Sequence, residues 1–138
     1  MATSESRILI VDDEERFRMT MGKLLKAHGY DAHAVGTGQE AIRKVIEEVW
    51  DVMILDMKMP EMSGVQVLSE VRKVDSRVEV IVLTGYASID TVQEVMKFGA
   101  YDYLLKPYHT EELLEKIENA LDRKAARKML VDRGSETI

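Results

Sequence analysis

Apolar residues in this chain gather in five short runs, separated by longer stretches in which they recur at helical spacing. The runs are RILIVD (7–12), YDAHAV (30–35), DVMIL (51–55), VEVIVL (78–83) and YDYLL (101–105). Strands alternating with helical segments predict an α/β fold. The first, third and fourth runs are almost continuously apolar, as expected of central strands of a parallel sheet covered on both faces. Polar caps and glycines mark the helix ends. TGQE (37–40) reads as a capping box of Thr37 and Glu40, and Ser88 and Thr110 read as N-caps, the latter followed by Glu111 and Glu112. Gly29 and Gly99 fall where the first and fourth helices should end in the left-handed conformation. The last helix is expected over about 111–130, with Ile117, Leu121, Ala125 and Met129 at four-residue spacing. At 1.5 Å per residue it outreaches the sheet, so RKAARKML should project beyond the domain. Arg123, Lys124, Arg127 and Lys128 are read there as a solvated basic face complementing the helix dipole, with a connector or dimer helix as the alternative.

Composition narrows this picture. At 138 residues the chain has room for one domain with a real core, and 46% hydrophobic with 32% charged residues is ordinary for a soluble protein. No segment reaches the roughly 18 apolar residues of a membrane span, and MATSES lacks the basic and apolar parts of a signal peptide, so a cytoplasmic location is expected. There is no cysteine, which excludes disulfides, thiolate metal sites and cysteine nucleophiles. A net charge of −6 argues against direct nucleic-acid binding. Residues 1–6 and the polar DRGSETI end are expected to be flexible or frayed.

The chemistry emerges when the strand ends are placed together. In an open parallel sheet, ligands bind outside the carboxyl ends of the strands. The first strand ends in Asp12 and Asp13, the third leads into Asp56, the fourth into Thr84 and the fifth into Lys106. Singly, each has a plain structural explanation as a cap, a turn residue or a solvated cation. Their convergence on one edge does not. Three neighbouring carboxylates repel one another, and a divalent cation removes that penalty. His28, His33 and His109 are scattered and the converging ligands are oxygens, which favours Mg2+ over zinc. A metal, a lysine and a hydroxyl suit a phosphoryl group, with a carboxylate as the nucleophile that receives it.

In ILIVDDEE, MILDMKMPEMSG, VLTGYAS and YDYLLKPY, the sequence resembles receiver domains of two-component response regulators, in order and spacing, over residues 7–122. The resemblance implies a doubly wound five-stranded parallel sheet in the order 2-1-3-4-5. It implies that Asp56 accepts a phosphoryl group from the phosphohistidine of a histidine kinase or phosphotransfer protein. Asp12, Asp13, Asp56 and the backbone carbonyl of Lys58 would hold Mg2+, while Thr84 and Lys106 would contact phosphoryl oxygens. Tyr103 occupies the position of the aromatic ring that turns inward when the threonine moves, and the Lys106-Pro107 bond is expected to be cis. The surface of the fourth helix, fifth strand and fifth helix is then the expected output and homodimer face. Gly85 would leave room for the phosphodonor or simply loosen a turn. Lys58 and Tyr86 flank the site with long side chains that would cover the aspartyl phosphate and slow its hydrolysis.

The stretch from Gly85 to Leu121 further resembles receivers joined to ATPase and DNA-binding domains of enhancer-binding activators, with 123–138 leading towards such an output domain. Other classes fit less well. A haloacid-dehalogenase-like phosphatase needs a second aspartate where Lys58 stands, DDEE would repel a flavodoxin's phosphate, and neither GxGxxG nor GxxxxGK[ST] occurs. The remaining alternative is a receiver-fold interaction module that is never phosphorylated.

Overall fold

The computed structural model describes residues 5–85 and 88–136. Five strands, β1 (Arg7–Val11), β2 (Asp31–Val35), β3 (Val52–Asp56), β4 (Glu79–Thr84) and β5 (Asp102–Leu105), alternate with five helices. These are α1 (Glu15–Ala27), α2 (Gly38–Glu47), α3 (Gly64–Val74), α4 (Ile89–Lys97) and α5 (Thr110–Glu136). All strand pairs are parallel and their order is β2-β1-β3-β4-β5, as expected.

Side-chain alternation along the strands builds two cores. Leu9, Val11, Met53, Leu55, Val80 and Val82 face α2, α3 and α4, where they meet Ala41, Val45, Val67, Leu68, Val71 and Val95. Ile8, Ile10, Val52, Ile54, Ile81 and Leu83 face α1 and α5, where they meet Met21, Leu25, Leu113, Ile117 and Ala120. Helices therefore cover both faces, which is why β1, β3 and β4 tolerate no polar alternation.

The cap assignments are partly corrected. Thr37 accepts from the Glu40 amide at 3.1 Å, but Glu40 does not return the bond to the Thr37 amide; its carboxylate accepts from the Thr37 hydroxyl instead. A complete capping box lies at Ser63 and Gln66, which the sequence reading passed over: the Ser63 hydroxyl accepts from the Gln66 amide at 3.2 Å and the Gln66 side chain from the Ser63 amide at 2.9 Å. Ser63→Ala is expected to lower stability by about 1 kcal/mol, readable as a shifted urea midpoint with unchanged slope. Ser88 caps α4, and Gly29 and Gly99 have φ of 87° and 90°. Thr110 is the first residue inside α5, and the carbonyl of His109 accepts the opening bonds.

Helix α5 differs most from expectation. It continues through the stretch expected to fray as far as Glu136, while residues 137 and 138, like residues 1–4, lie outside the described residues. Its sheet-facing stripe is Leu113, Ile117 and Ala120; Leu121 is half-buried, and Ala125 and Met129 are exposed. Arg123, Lys124 and Arg127 are not a solvated face, because each pairs with an acid at the N-terminal edge of the sheet. Lys128, the fourth of these basic residues, is exposed.

Candidate functional site

The strand order reverses between β1 and β3, so their carboxyl ends open a crevice. Val11 stands level with Leu55, which places Asp12, just past β1, beside Asp56, the last residue of β3. Asp12 is 2% and Asp56 7% exposed, whereas Asp13 faces solvent. One carboxylate oxygen from each of Asp12, Asp13 and Asp56 lies within 4.8 Å of the others, the one such grouping among the described residues. Thr84 ends β4 at 5% exposure, and its carbonyl accepts from the Lys106 amide at 2.8 Å. Lys106 enters from beyond β5 and brings its Nζ to 3.3 Å from Asp56 Oδ1 and 3.8 Å from Asp12 Oδ2. The Lys106-Pro107 bond is cis.

The two oxygens of Asp12 have different surroundings. Oδ1 accepts from the Glu14 amide at 2.8 Å and turns the chain into α1, whereas Oδ2 is buried with no hydrogen-bond partner. Burial pushes the Asp12 carboxyl above the usual range, the Glu14 amide opposes this, and the charge of Asp56 adds to it. An oxygen-only donor set with one buried, unpartnered oxygen fits a hard divalent cation. Lys106 supplies a fixed positive charge on the other side and packs 5.4 Å from the centre of the Phe17 ring. Tyr108 is half-buried against the core on the α1 and α5 side, and burial, assisted by the charge of Asp12, pushes its phenol up to about 12.

A family model for the response regulator receiver domain matches residues 8–118. The chain belongs to the response regulator receiver family. Receiver domains of two-component systems act as phosphorylation switches, and this is the general function of the family. Regulatory protein AtoC of Escherichia coli is 35% identical over 126 residues, covering 91% of this chain and 27% of AtoC. Sporulation initiation phosphotransferase F of Bacillus subtilis is 31% identical over 119 residues, covering 86% of this chain and 96% of that protein. The crystal structure of a CheY-like receiver domain protein from Methanospirillum hungatei superposes with a TM-score of 0.87 at 32% identity, covering 90% of this chain and 99% of that one. The chain thus spans only about a quarter of the length of AtoC.

In this receiver domain the structure brings together Asp12, Asp13, Asp56, Thr84 and Lys106, all singled out from sequence. Tyr103 is half-buried against the core on the α3 and α4 side. Lys58 is exposed, and Tyr86 lies outside the described residues. A Cβ built at Gly85 meets nothing within 4 Å, so packing does not demand a glycine there. Sequence reasoning missed Arg18. Its Nη1 donates to the Asp12 carbonyl at 2.9 Å and lies where a Cβ on Gly36 would come within 2.9 Å of it. The available signal was an arginine early in α1 facing a glycine just past β2.

Proposed function

We propose that this receiver domain takes a phosphoryl group from a phosphohistidine of a histidine kinase or phosphotransfer protein onto Asp56, with Mg2+ as cofactor. The observation that carries the reading is the pairing of nearly buried Asp56 with Lys106 at 3.3 Å beside the carboxylates of Asp12 and Asp13. A carboxylate oxygen of Asp56 attacks phosphorus, the P–N bond breaks, and the donor imidazole leaves with the electron pair and takes up a proton. Lys106 pairs with one phosphoryl oxygen, and the Thr84 hydroxyl donates to another. Asp12, Asp13, Asp56 and the Lys58 carbonyl would hold Mg2+, which supplies charge neutralisation between carboxylates and phosphoryl oxygens. The only catalysis in this reading is of the domain's own phosphorylation and dephosphorylation.

Movement of Thr84 towards the phosphoryl group lets Tyr103 turn inward and shifts the population of the α4, β5 and α5 surface. Ile89, Met96, Phe98 and Leu105 are exposed there, an apolar set that supports docking of a second copy or of an ATPase/DNA-binding output domain. Residues 7–122 would then be the receiver proper and 123–138 the segment leading on. No helix among the described residues is long and apolar enough to cross a membrane, and the proposed partners place the domain in the cytoplasm.

Incubation with acetyl phosphate and Mg2+ tests the reading, with incorporation of one phosphoryl group expected by intact mass. A chain that stays unlabelled under conditions that label another receiver would favour the interaction module instead. Lys58, exposed two residues after Asp56, is expected to slow hydrolysis of the aspartyl phosphate together with Tyr86. Lys58→Ala and Tyr86→Ala should each speed autodephosphorylation severalfold, and rates equal to wild type would remove this role.

A further inference from the structure

The acid most deeply buried among the described residues takes no part in the site. Glu79, the first residue of β4, is 0% exposed at the sheet edge opposite Asp56. Arg127 Nη1 donates to its Oε1 at 2.9 Å, and Arg123 Nε stands 3.1 Å from its Oε2, an ion pair whose angle falls outside hydrogen-bond geometry. Arg72 approaches from α3: burial lowers its guanidinium, and the charge of Glu79 is the largest influence opposing that. Alongside, Lys124 Nζ donates to Asp51 Oδ1 at 2.9 Å and to the Trp50 carbonyl at 3.0 Å.

Two of these contacts, those of Lys124 and Arg127, fall on a single stripe of α5. Leu113, Ile117, Ala120, Lys124 and Arg127 alternate steps of four and three residues, so they share one face. The first three are buried apolar side chains; the last two are cations. Full burial of the stripe stops at Ala120; beyond it Leu121 still packs against the core and Arg123 lies over the Tyr101 ring, while the ion pairs tie α5 to the start of β3 and β4. A buried ion pair seldom stabilises a fold more than apolar side chains of the same size would. What it adds is direction, since a carboxylate facing two guanidinium groups accepts few arrangements. We propose that Glu79 is an electrostatic latch that seats the last turns of α5 on the N-terminal edge of β4 and so sets the direction in which the chain leaves the receiver domain. The inference is independent of phosphorylation at Asp56.

Hydrogen exchange of the whole chain, read by mass spectrometry, tests the latch. Glu79→Met replaces the acid with an apolar side chain of similar size. Amides of 122–131 should then exchange at least about tenfold faster, while those of β1 and β3 keep wild-type protection. Arg127→Gln, made on a half-exposed residue, should give a smaller rise confined to the same segment and carries the test if Glu79→Met does not fold. Wild-type exchange over 122–131 in either folded variant would overturn the latch. So would a rise shared equally by β1 and β3, which would make Glu79 a general stability element.

Discussion

Replacing Asp56 by asparagine is expected to abolish phosphoryl incorporation from acetyl phosphate while leaving the fold intact. Asparagine has nearly the same shape, so the end of β3 and the packing of Leu55 and Met57 need not move. The neutral amide, however, is a far weaker nucleophile than a carboxylate and cannot hold the Lys106 ammonium that stands 3.3 Å from Asp56 Oδ1. Loss of a charge from a crowded acidic cluster should also leave the variant at least as stable as wild type in the absence of Mg2+. Phosphoryl incorporation is read by intact mass and stability by thermal melting, and the two together separate lost chemistry from lost structure. Persistent labelling of a folded Asp56→Asn chain, mapped to Asp12 or Asp13, would transfer the acceptor role to a neighbouring acid.

Central strands and site residues were legible for a shared reason. Strands covered on both faces must be apolar throughout, so β1, β3 and β4 stand out, and polar groups at their carboxyl ends are conspicuous by contrast. Asp12, Asp56 and Thr84 are of this kind, whereas Lys106 follows the partly exposed edge strand β5. The stripe on α5 was misread because a constant four-residue step advances about 400° on a helix and drifts from the face it begins on. Three such steps from Ile117 carry Met129 roughly 120° away, into solvent. The roles of Lys124 and Arg127 were invisible for a different reason. Their acidic partners lie 73 and 48 residues away in sequence, and Glu79 reads locally as an ordinary polar residue at a strand edge. Arg18 was missed for another reason: its acceptor is near in sequence but is a backbone carbonyl, which no side-chain motif announces.

Asp12→Asn should move stability and Mg2+ response in opposite directions. The asparagine oxygen can still accept from the Glu14 amide, the bond by which Asp12 Oδ1 turns the chain into α1. The lost charge faces two acids and one lysine, the lysine at 3.8 Å from Asp12 Oδ2. Unit charges about 4 Å apart interact by about 4 kcal/mol at an effective dielectric constant of about 20, so one repulsion is roughly cancelled by the lysine and the other is not. After screening through exposed Asp13, a gain on the order of 1–2 kcal/mol in Mg2+-free stability is expected. Wild type, by contrast, should gain about 2.7 kcal/mol from Mg2+ at a hundredfold excess over its Kd, and Asp12→Asn should lose most of that gain with the charge proposed as a ligand. Thermal melts with and without Mg2+ measure both effects. A variant less stable than wild type without Mg2+ would show that the attraction of Lys106 outweighs the repulsion of Asp13 and Asp56, because the turn into α1 is kept in asparagine.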